Sequence, residues 1–334
     1  MTDRATLTDP PPIDTSKAPI ENILDLTPLS DIGPDIFTNT RLLWHPPGAR
    51  GIYGGAVIAQ CLSAAHRTVP KPYSVHSMHC YFVLAGDSEI PVIYHVEHVR
   101  EGKSFITRTV QARQRGKCIF TVTMSFVRDG SGGKEVVEHA VGMPDFPGPI
   151  EGKEQSRSPE DLGAPIQSQP YQVSSEIDQP NAPDKKIYRW IKARGTISPD
   201  GGHEAHLSAL AYMSDSYFIG TVQRVHGIGR LPVPAKPNTS GLGSKSASST
   251  ENKAAHQSHV ADEGRPQLGM MVSLDHTIYF HNPKAFRADD WLFTEMETPW
   301  AGDGRGLVMQ RIFTREGKLI ATCVQEVWTF GFLR

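Results

Sequence analysis

An internal duplication constrains the fold of this chain more than any other feature of its sequence. Two stretches carry the same order of features, a helical pattern followed by four strand-like runs. Residues 116–121 match residues 317–322 at four of six positions, 201 residues apart, and the pairs Tyr81-Phe82 and Tyr279-Phe280 lie 198 residues apart. This order predicts an α+β fold in which one long helix packs on a curved antiparallel sheet, twice in one chain.

Composition divides the 334-residue chain into two globular stretches and three loose segments. Segments rich in Pro, Gly, Ser and charge cannot bury enough apolar surface to offset the entropy lost on ordering. On this basis residues 1–20 are predicted to be disordered, 131–184 to be a linker and 232–267 to be a low-complexity insertion. We expect one domain over 21–130 and a second over 185–334, which carries the insertion.

Charge and cysteine content argue against several classes of protein. The formal net charge is −2, which gives no electrostatic reason to expect a nucleic-acid partner. Four scattered cysteines indicate reduced thiols in an intracellular protein rather than a disulfide scaffold or a metal site. No apolar run approaches the roughly 18 residues needed to span a bilayer. We therefore expect a soluble protein without a metal or a membrane span.

Comparison of the two copies singles out a polar residue on an apolar strand face. In the final strand, alternate positions from Leu319 to Val327 share one face, and Gln325 stands among them. The matching position in the first copy is Met124, on a face that is apolar throughout. A buried amide without partners costs about 1–3 kcal/mol. We expect Gln325 to bond to backbone as a core residue, to meet another polar side chain, or to line a cavity.

Two further polar residues stand where the pattern favours apolar ones. The helical pattern over 203–220 places Asp215 beside an apolar stripe. Ser273 takes the place of Val75, 198 residues earlier in the first copy. Each residue alone is compatible with an edge or surface position. Together with Gln325 they form a carboxylate, a hydroxyl and an amide on elements expected to converge, a set suited to holding and polarising one water molecule.

Several motifs, in the same order as in known proteins, resemble the acyl-CoA thioesterase II family. In the first half these are residues 53–60 (YGGAVIAQ), 75–82 (VHSMHCYF), 86–87 (GD) and 101–105 (EGKSF). In the second half they are residues 210–215 (LAYMSD), 226–229 (HGIG), 274–276 (LDH), 280–281 (FH) and 322–326 (TCVQE). The resemblance extends over both globular stretches, roughly 20–130 and 185–330.

The resemblance implies a double hotdog fold, in which two tandem units each have a long helix wrapped by an antiparallel sheet. It implies hydrolysis of fatty acyl-CoA to free fatty acid and CoA, by general-base activation of water and without cofactor, metal or covalent intermediate. The family's water-activating residues match Asp215, Ser273 and Gln325. Gly54 and Gly55, at the start of the first helix, would let the substrate carbonyl approach backbone N–H groups closely.

The family also implies a homo-oligomer in fatty-acid metabolism, in the peroxisome or the cytoplasm. The final tripeptide Phe332-Leu333-Arg334 is not a Ser-Lys-Leu-type peroxisomal signal, so the sequence leaves the compartment open. Two alternative functions also stay open. A hotdog hydratase or dehydratase would need a His about five residues from its Asp, and none follows Asp215 at that spacing. A non-catalytic acyl-CoA-binding protein would give no reason for three polar residues on core faces.

Overall fold

The computed structural model describes residues 10–44, 51–133, 137–150, 164–171, 181–230 and 267–333. In this part of the chain four α-helices accompany one large sheet: α1 (Pro19–Leu24), α2 (Gly54–His66), α3 (Gly202–Ser214) and α4 (Thr221–Val225). The strands of the first half are β1 (Leu26–Pro28), β2 (Ile36–Asn39), β3 (Tyr73–Phe82), β4 (Ile93–Glu101), β5 (Phe105–Gln114) and β6 (Lys117–Arg128). The later strands are β7 (Ile166–Tyr171), β8 (Lys186–Ala193), β9 (Gly229–Arg230), β10 (Gln267–Ser273), β11 (Asp275–Phe280), β12 (Leu292–Gly302), β13 (Arg305–Thr314) and β14 (Leu319–Leu333).

The described strands form one 14-stranded sheet that runs through both halves of the chain. Its order is β1-β2-β4-β5-β6-β3-β11-β14-β13-β12-β8-β7, while β10 pairs with β14 and with β9. The halves join where β3 pairs antiparallel with β11, in a register that places Met78 opposite Ile278. The main hydrophobic core contains residues from both halves, so the two repeats form one continuous body.

The two long helices, α2 and α3, lie side by side; α2 is buried along nearly its whole length, and α3 is buried from His206 to its end. Both are rich in small, fully buried residues such as Ala59 and Ala209, and the hydroxyl of Ser63 donates to Ser208 (3.0 Å). Small side chains let helix axes approach closely, and a helix buried on all sides is expected to be apolar all round. The helices run antiparallel, so the start of α2 lies against the end of α3.

The strand registers confirm the internal repeat and the α+β fold that it predicts. In the first half Val75 lies opposite Phe126, and a bulge follows at His76. In the second half Ser273 lies opposite Val327, and β10 gives way to β11 at the equivalent place. The offsets of 198 and 201 residues found in the sequence therefore also relate the paired strands. An interruption at the same place in both halves indicates a shared local design.

The helix predicted over 203–220 is shorter in the structure, and this correction affects the site. α3 ends one residue before Asp215, which is its C-cap, and the chain then turns through Tyr217 with φ of 64°. A left-handed backbone at such a bulky residue is unfavourable unless its surroundings hold it. The hydroxyl of Tyr53, from the first half, lies 2.7 Å from that of Ser216 in this turn. Helical periodicity cannot reveal a contact so distant in sequence.

The range 131–184, predicted as a linker, contributes structure to the second half. β7 lies inside it and pairs with β8. The ring of Phe146 packs at a tilt against Tyr188 and Phe293, with ring centroids 4.6 and 5.0 Å apart, in a cluster separate from the main core. The indole N–H of Trp190 donates to a backbone carbonyl of the same segment (3.1 Å). The high Gly and Pro content of the segment gave no indication of these few apolar contacts in the sequence.

The other two loose segments are described only in part. α1 begins at Pro19, and the adjacent Ile20 is fully buried, so ordered structure begins within the range 1–20. The insertion predicted over 232–267 lies outside the described residues apart from Gln267, where β10 begins. β9 and β10, on either side of it, pair in parallel. No helix in the described part of the chain is long and apolar enough to span a membrane.

Candidate active site

Asp215, Ser273 and Gln325 meet at the carboxyl end of α3. Gln325 on β14 is fully buried, and its Nε2 donates to Ser273 Oγ at the end of β10 (2.6 Å). The same side-chain amide faces the carboxylate of Asp215 and favours its ionised form. Asp215 is 8% exposed, whereas Ser273 is half-buried. The structure thus brings together the three polar residues that the sequence comparison singled out, with Ser273 on the more open side.

The Asp215 carboxyl lies in surroundings that favour its neutral form. Burial raises its pKa to about 7, while the backbone N–H of Gly55 and the side-chain amide of Gln325 act in the opposite direction. Its place at the C-cap of α3 puts it at the helix end where the dipole disfavours negative charge. A base whose pKa lies near the pH of the medium is present in ionised form and still strong enough to accept a proton.

Four weak acids surround the Asp215 carboxyl, and none of them competes with it for a proton near neutral pH. They are Tyr53, Tyr212, Cys80 and Cys323. Burial raises the pKa of each, and the charge of Asp215 raises it further. No positive charge contributes to the pKa of Asp215 among the described residues. Asp215 is therefore the group of this cluster that titrates near pH 7.

The first half of the chain forms one wall of the site through the start of α2. A methyl group on Gly55 would lie 2.4 Å from the carbonyl oxygen of Tyr212, and one on Gly54 would lie 2.8 Å from Asp215 Oδ2. Gly55 is therefore required by a backbone contact, whereas a side chain at Gly54 would have to displace the side chain of Asp215 or Phe82. Next to them, the hydroxyl of Tyr53 donates to the Tyr212 carbonyl (3.1 Å). The end of α3 is thus held against the start of α2, where Gly55 can reach Asp215.

The structure adds a histidine that the sequence comparison missed. His276 on β11 is fully buried; its Nδ1 lies 2.6 Å from Gln325 Oε1, and its Nε2 lies 2.9 Å from Ser214 Oγ. Burial lowers its pKa to about 4, so the ring is neutral at physiological pH. Comparison of the two copies could have identified His276, because the offset of 198 residues pairs this histidine with the apolar Met78.

These observations define a class of protein. Two units, each with a long helix packed on an antiparallel sheet, are fused through one sheet, which is the double hotdog arrangement. The chain has a TM-score of 0.60 against a protein with hot dog fold from Alicyclobacillus acidocaldarius, over 96% of this chain and 100% of that one, at 15% identity. The fold is therefore shared even where sequence similarity is low, and the predicted double hotdog fold is confirmed.

Comparison with known proteins identifies the family. The chain matches the acyl-CoA thioesterase N-terminal domain over residues 41–127 and the acyl-CoA thioesterase C-terminal domain over 139–329. It is 34% identical to human acyl-coenzyme A thioesterase 8, over 95% of this chain and 90% of that protein. It is 30% identical to acyl-CoA thioesterase 2 of Haemophilus influenzae, over 92% and 96%. The chain belongs to the acyl-CoA thioesterase II family, as the motifs predict.

A solved relative agrees with this assignment over most of the chain. The crystal structure of an acyl-CoA thioesterase II from Mycobacterium marinum has a TM-score of 0.66 against this protein at 29% identity. The similarity covers 93% of this chain and 98% of that one. Both halves are therefore parts of one family fold.

Proposed function

We propose that this protein hydrolyses fatty acyl-CoA thioesters to free fatty acid and CoA by general-base activation of water. The observation that carries the proposal is Asp215, a buried carboxyl with its pKa raised to about 7 beside the hydrogen-bonded pair Gln325 and Ser273. The relatives named acyl-CoA thioesterase support the substrate class. The acyl-CoA ester is the expected partner, with no cofactor.

In the proposed reaction Asp215 accepts one proton from a water molecule held beside Ser273 and Gln325. The water oxygen attacks the thioester carbonyl carbon as its proton leaves, so a tetrahedral oxyanion forms. When that oxyanion collapses, the carbon–sulfur bond breaks and the CoA sulfur leaves with the electron pair. The proton held by Asp215 passes to the sulfur, which returns Asp215 to its ionised form and releases the free thiol and the fatty acid.

In this proposal the start of α2 holds the thioester carbonyl. Backbone N–H groups at a helix amino terminus favour developing negative charge. Because the N–H of Gly55 already faces Asp215 and favours its ionised form, we assign the carbonyl to the adjacent N–H of Gly54. This refines the expectation that both glycines bind substrate. The missing side chain at Gly54, where a methyl group would touch Asp215 Oδ2, leaves the backbone open beside the base.

We further propose a homo-oligomeric, intracellular enzyme that acts in the peroxisome or the cytoplasm. A relative from Saccharomyces cerevisiae, 25% identical over 92% of this chain, is named peroxisomal acyl-coenzyme A thioester hydrolase 1. Sedimentation of the purified protein and imaging of the tagged protein in its host cell test these two proposals. A monomer, or a location outside both compartments, would contradict them.

A thiol-release assay with short-, medium- and long-chain saturated and enoyl acyl-CoA substrates tests the proposed reaction. We expect one free CoA thiol and one free fatty acid for each substrate molecule consumed. Substrate consumption with the thioester intact would indicate a hydratase or a dehydratase. Saturable binding of acyl-CoA with no release of thiol for any chain length would indicate a binding protein.

A further inference from the structure

We propose that His276 is a positioning residue of this site, and that its Nδ1–H fixes the Gln325 amide with both amide hydrogens toward Ser273 and Asp215. The inference rests on the proposed thioesterase function and deepens it. His276 does not hold the water itself; it contacts Gln325, which does in this proposal. The role depends on which ring nitrogen carries the proton.

The contacts of His276 form a chain that ends at the site. Ser214 Oγ lies 2.9 Å from Nε2, Nδ1 lies 2.6 Å from Gln325 Oε1, and Gln325 Nε2 lies 2.6 Å from Ser273 Oγ. Ser214, His276 and Gln325 are all fully buried. Buried hydrogen bonds of this kind are strong, and an unpaired member is costly. Each link therefore limits how the next can turn.

The position of the imidazole proton decides which way the amide points. A neutral imidazole has one N–H donor and one acceptor nitrogen. If Nδ1 carries the proton, it donates to Gln325 Oε1, and the amide hydrogens face Ser273 and the Asp215 carboxylate. If Nε2 carries it, Nδ1 must accept from the amide, whose oxygen then turns toward the carboxylate. Two such oxygens repel each other, so ionised Asp215 selects the Nδ1–H form.

Ser214 is placed to support this form from the other side of the ring. Its hydroxyl lies 2.9 Å from His276 Nε2 and also 2.9 Å from the carbonyl of Ala211. The hydroxyl proton can therefore serve either acceptor. When the hydroxyl donates to Nε2, each group in the chain donates to the next one, from Ser214 through His276 and Gln325 to Ser273. Ser214 is the last residue of α3 and precedes Asp215, so the same helix end carries the base and this hydroxyl.

The first half of the chain lacks this set and shows what the fold requires without it. Met78 and Met124, fully buried and paired across β3 and β6, stand at the positions of His276 and Gln325. Packing alone is thus satisfied by two apolar residues. His66, the last residue of α2, has no hydrogen-bond partner on either ring nitrogen among the described residues. Its burial likewise lowers its pKa to about 4, which makes it a matched control.

The described groups around His276 leave Asp215 as the nearby residue that titrates near neutral pH. Phe218 packs edge-on against the ring at 5.5 Å. From β3, the thiol of Cys80 donates to the His276 carbonyl (2.9 Å), and burial keeps the pKa of that thiol well above its usual range. From β14 and α3 the facing groups are Gln325 and Ser214. A change in the pH profile after substitution of His276 therefore reports on Asp215.

Kinetics of three variants separate positioning from packing. His276→Met copies the first half, His276→Asn keeps an N–H near the place of Nδ1, and His66→Met removes a buried histidine elsewhere. We expect His276→Met to lower kcat about 10- to 100-fold with little change in KM. In the pH–rate profile of this variant, the pKa on the acid side should rise, because the ionised form of Asp215 loses the Gln325 amide as a donor. His276→Asn should restore the pKa and part of kcat, and His66→Met should change neither.

Two results would overturn the proposal. One is an unchanged pKa on the acid side in His276→Met despite a lower kcat, and the other is His276→Asn behaving as His276→Met. Nitrogen NMR of the wild-type protein with labelled histidine gives a test that does not need folded variants or activity, since each ring nitrogen reports whether it is protonated. We expect Nδ1–H with a bare Nε2 for His276 at neutral pH. An Nε2–H or doubly protonated ring would contradict the proposal even if thioesterase activity were established, whereas absence of thiol release would contradict only the proposed function.

Discussion

The backbone N–H of Gly55 faces the carboxylate of Asp215 and favours its ionised form, although the two residues belong to different repeats of the chain. The contact requires glycine at position 55, because a methyl group on Gly55 would lie 2.4 Å from the Tyr212 carbonyl oxygen. It also requires that α3 ends before Asp215. The candidate site therefore lies at the junction of the halves. We expect neither half to be active alone.

Replacing Gly55 by alanine tests this junction. Alanine in a helix is usually more stable than glycine by about 0.5–1 kcal/mol. Here the clash is with a backbone oxygen, which cannot move aside cheaply, so we expect a net loss of about 1–3 kcal/mol and a clear drop in turnover. Gly142→Ala is the control, because nothing lies within 4 Å of its added methyl group. Equal melting temperatures for the two variants would contradict the close contact.

The pH dependence of kcat/KM follows from the pKa of Asp215. Because the ionised form acts as the base and its pKa is raised to about 7, we expect the rate to rise from acid pH and to reach half its plateau near pH 7. An ordinary aspartate would give a half-maximum near its usual pKa of about 3.9. A steady-state profile from acid to alkaline pH, with stability checked at each point, measures this. A flat rate down to about pH 5 would be inconsistent with a raised pKa.

The same pKa predicts a pH-dependent loss of stability that Asp215→Asn removes. The folded pKa of about 7 lies above the usual aspartate pKa of 3.8, so folding favours the protonated form. This stabilisation is fully present below about pH 4 and is lost as the pH rises through about 7. The total loss in free energy of unfolding is on the order of 4 kcal/mol. Relative to wild type, Asp215→Asn should gain stability from pH 4 to 8. Urea unfolding measures the difference, with exposed Asp145→Asn as the control that should show no such trend.

The fully buried pair Met78 and Met124 allows the polar set to be rebuilt in the first half. Met124→Gln should lose about 1–3 kcal/mol, because the amide is buried without a partner. Adding Met78→His should recover part of this loss, with a favourable coupling of at least about 0.5 kcal/mol in a double-mutant cycle. In an Asp215→Asn background neither change should restore thiol release, since Arg67 stands after α2 where Asp215 stands after α3. Additive losses would argue against the equivalence of the two positions.

The sequence was informative wherever the repeat allowed one copy to be compared with the other. Gln325 and Ser273 could be found because Met124 and Val75 show what the same positions hold when only packing matters. The same offsets relate the paired strands of the two halves. His276 was within reach of this comparison, but a histidine in a strand is ordinary unless its hydrogen-bond partners are known.

Features held by contacts distant in sequence could not be predicted. The end of α3 depends on the left-handed Tyr217 and on the Tyr53 hydroxyl at 2.7 Å from Ser216, neither of which leaves a periodic pattern. The ordered part of the linker depends on Phe146 finding Tyr188 and Phe293. A single aromatic residue among Gly and Pro gives no local signal of such a cluster.

The central claim is that Asp215 is the general base of a thioesterase, and turnover of Asp215→Asn tests it most directly. The substitution keeps the shape of the side chain but removes its charge, and circular dichroism with thermal melting establishes that the variant is folded. On the acyl-CoA that wild type hydrolyses best, we expect thiol release to fall by at least about 100-fold with little change in acyl-CoA affinity. A folded variant that releases thiol at close to the wild-type rate would contradict the account.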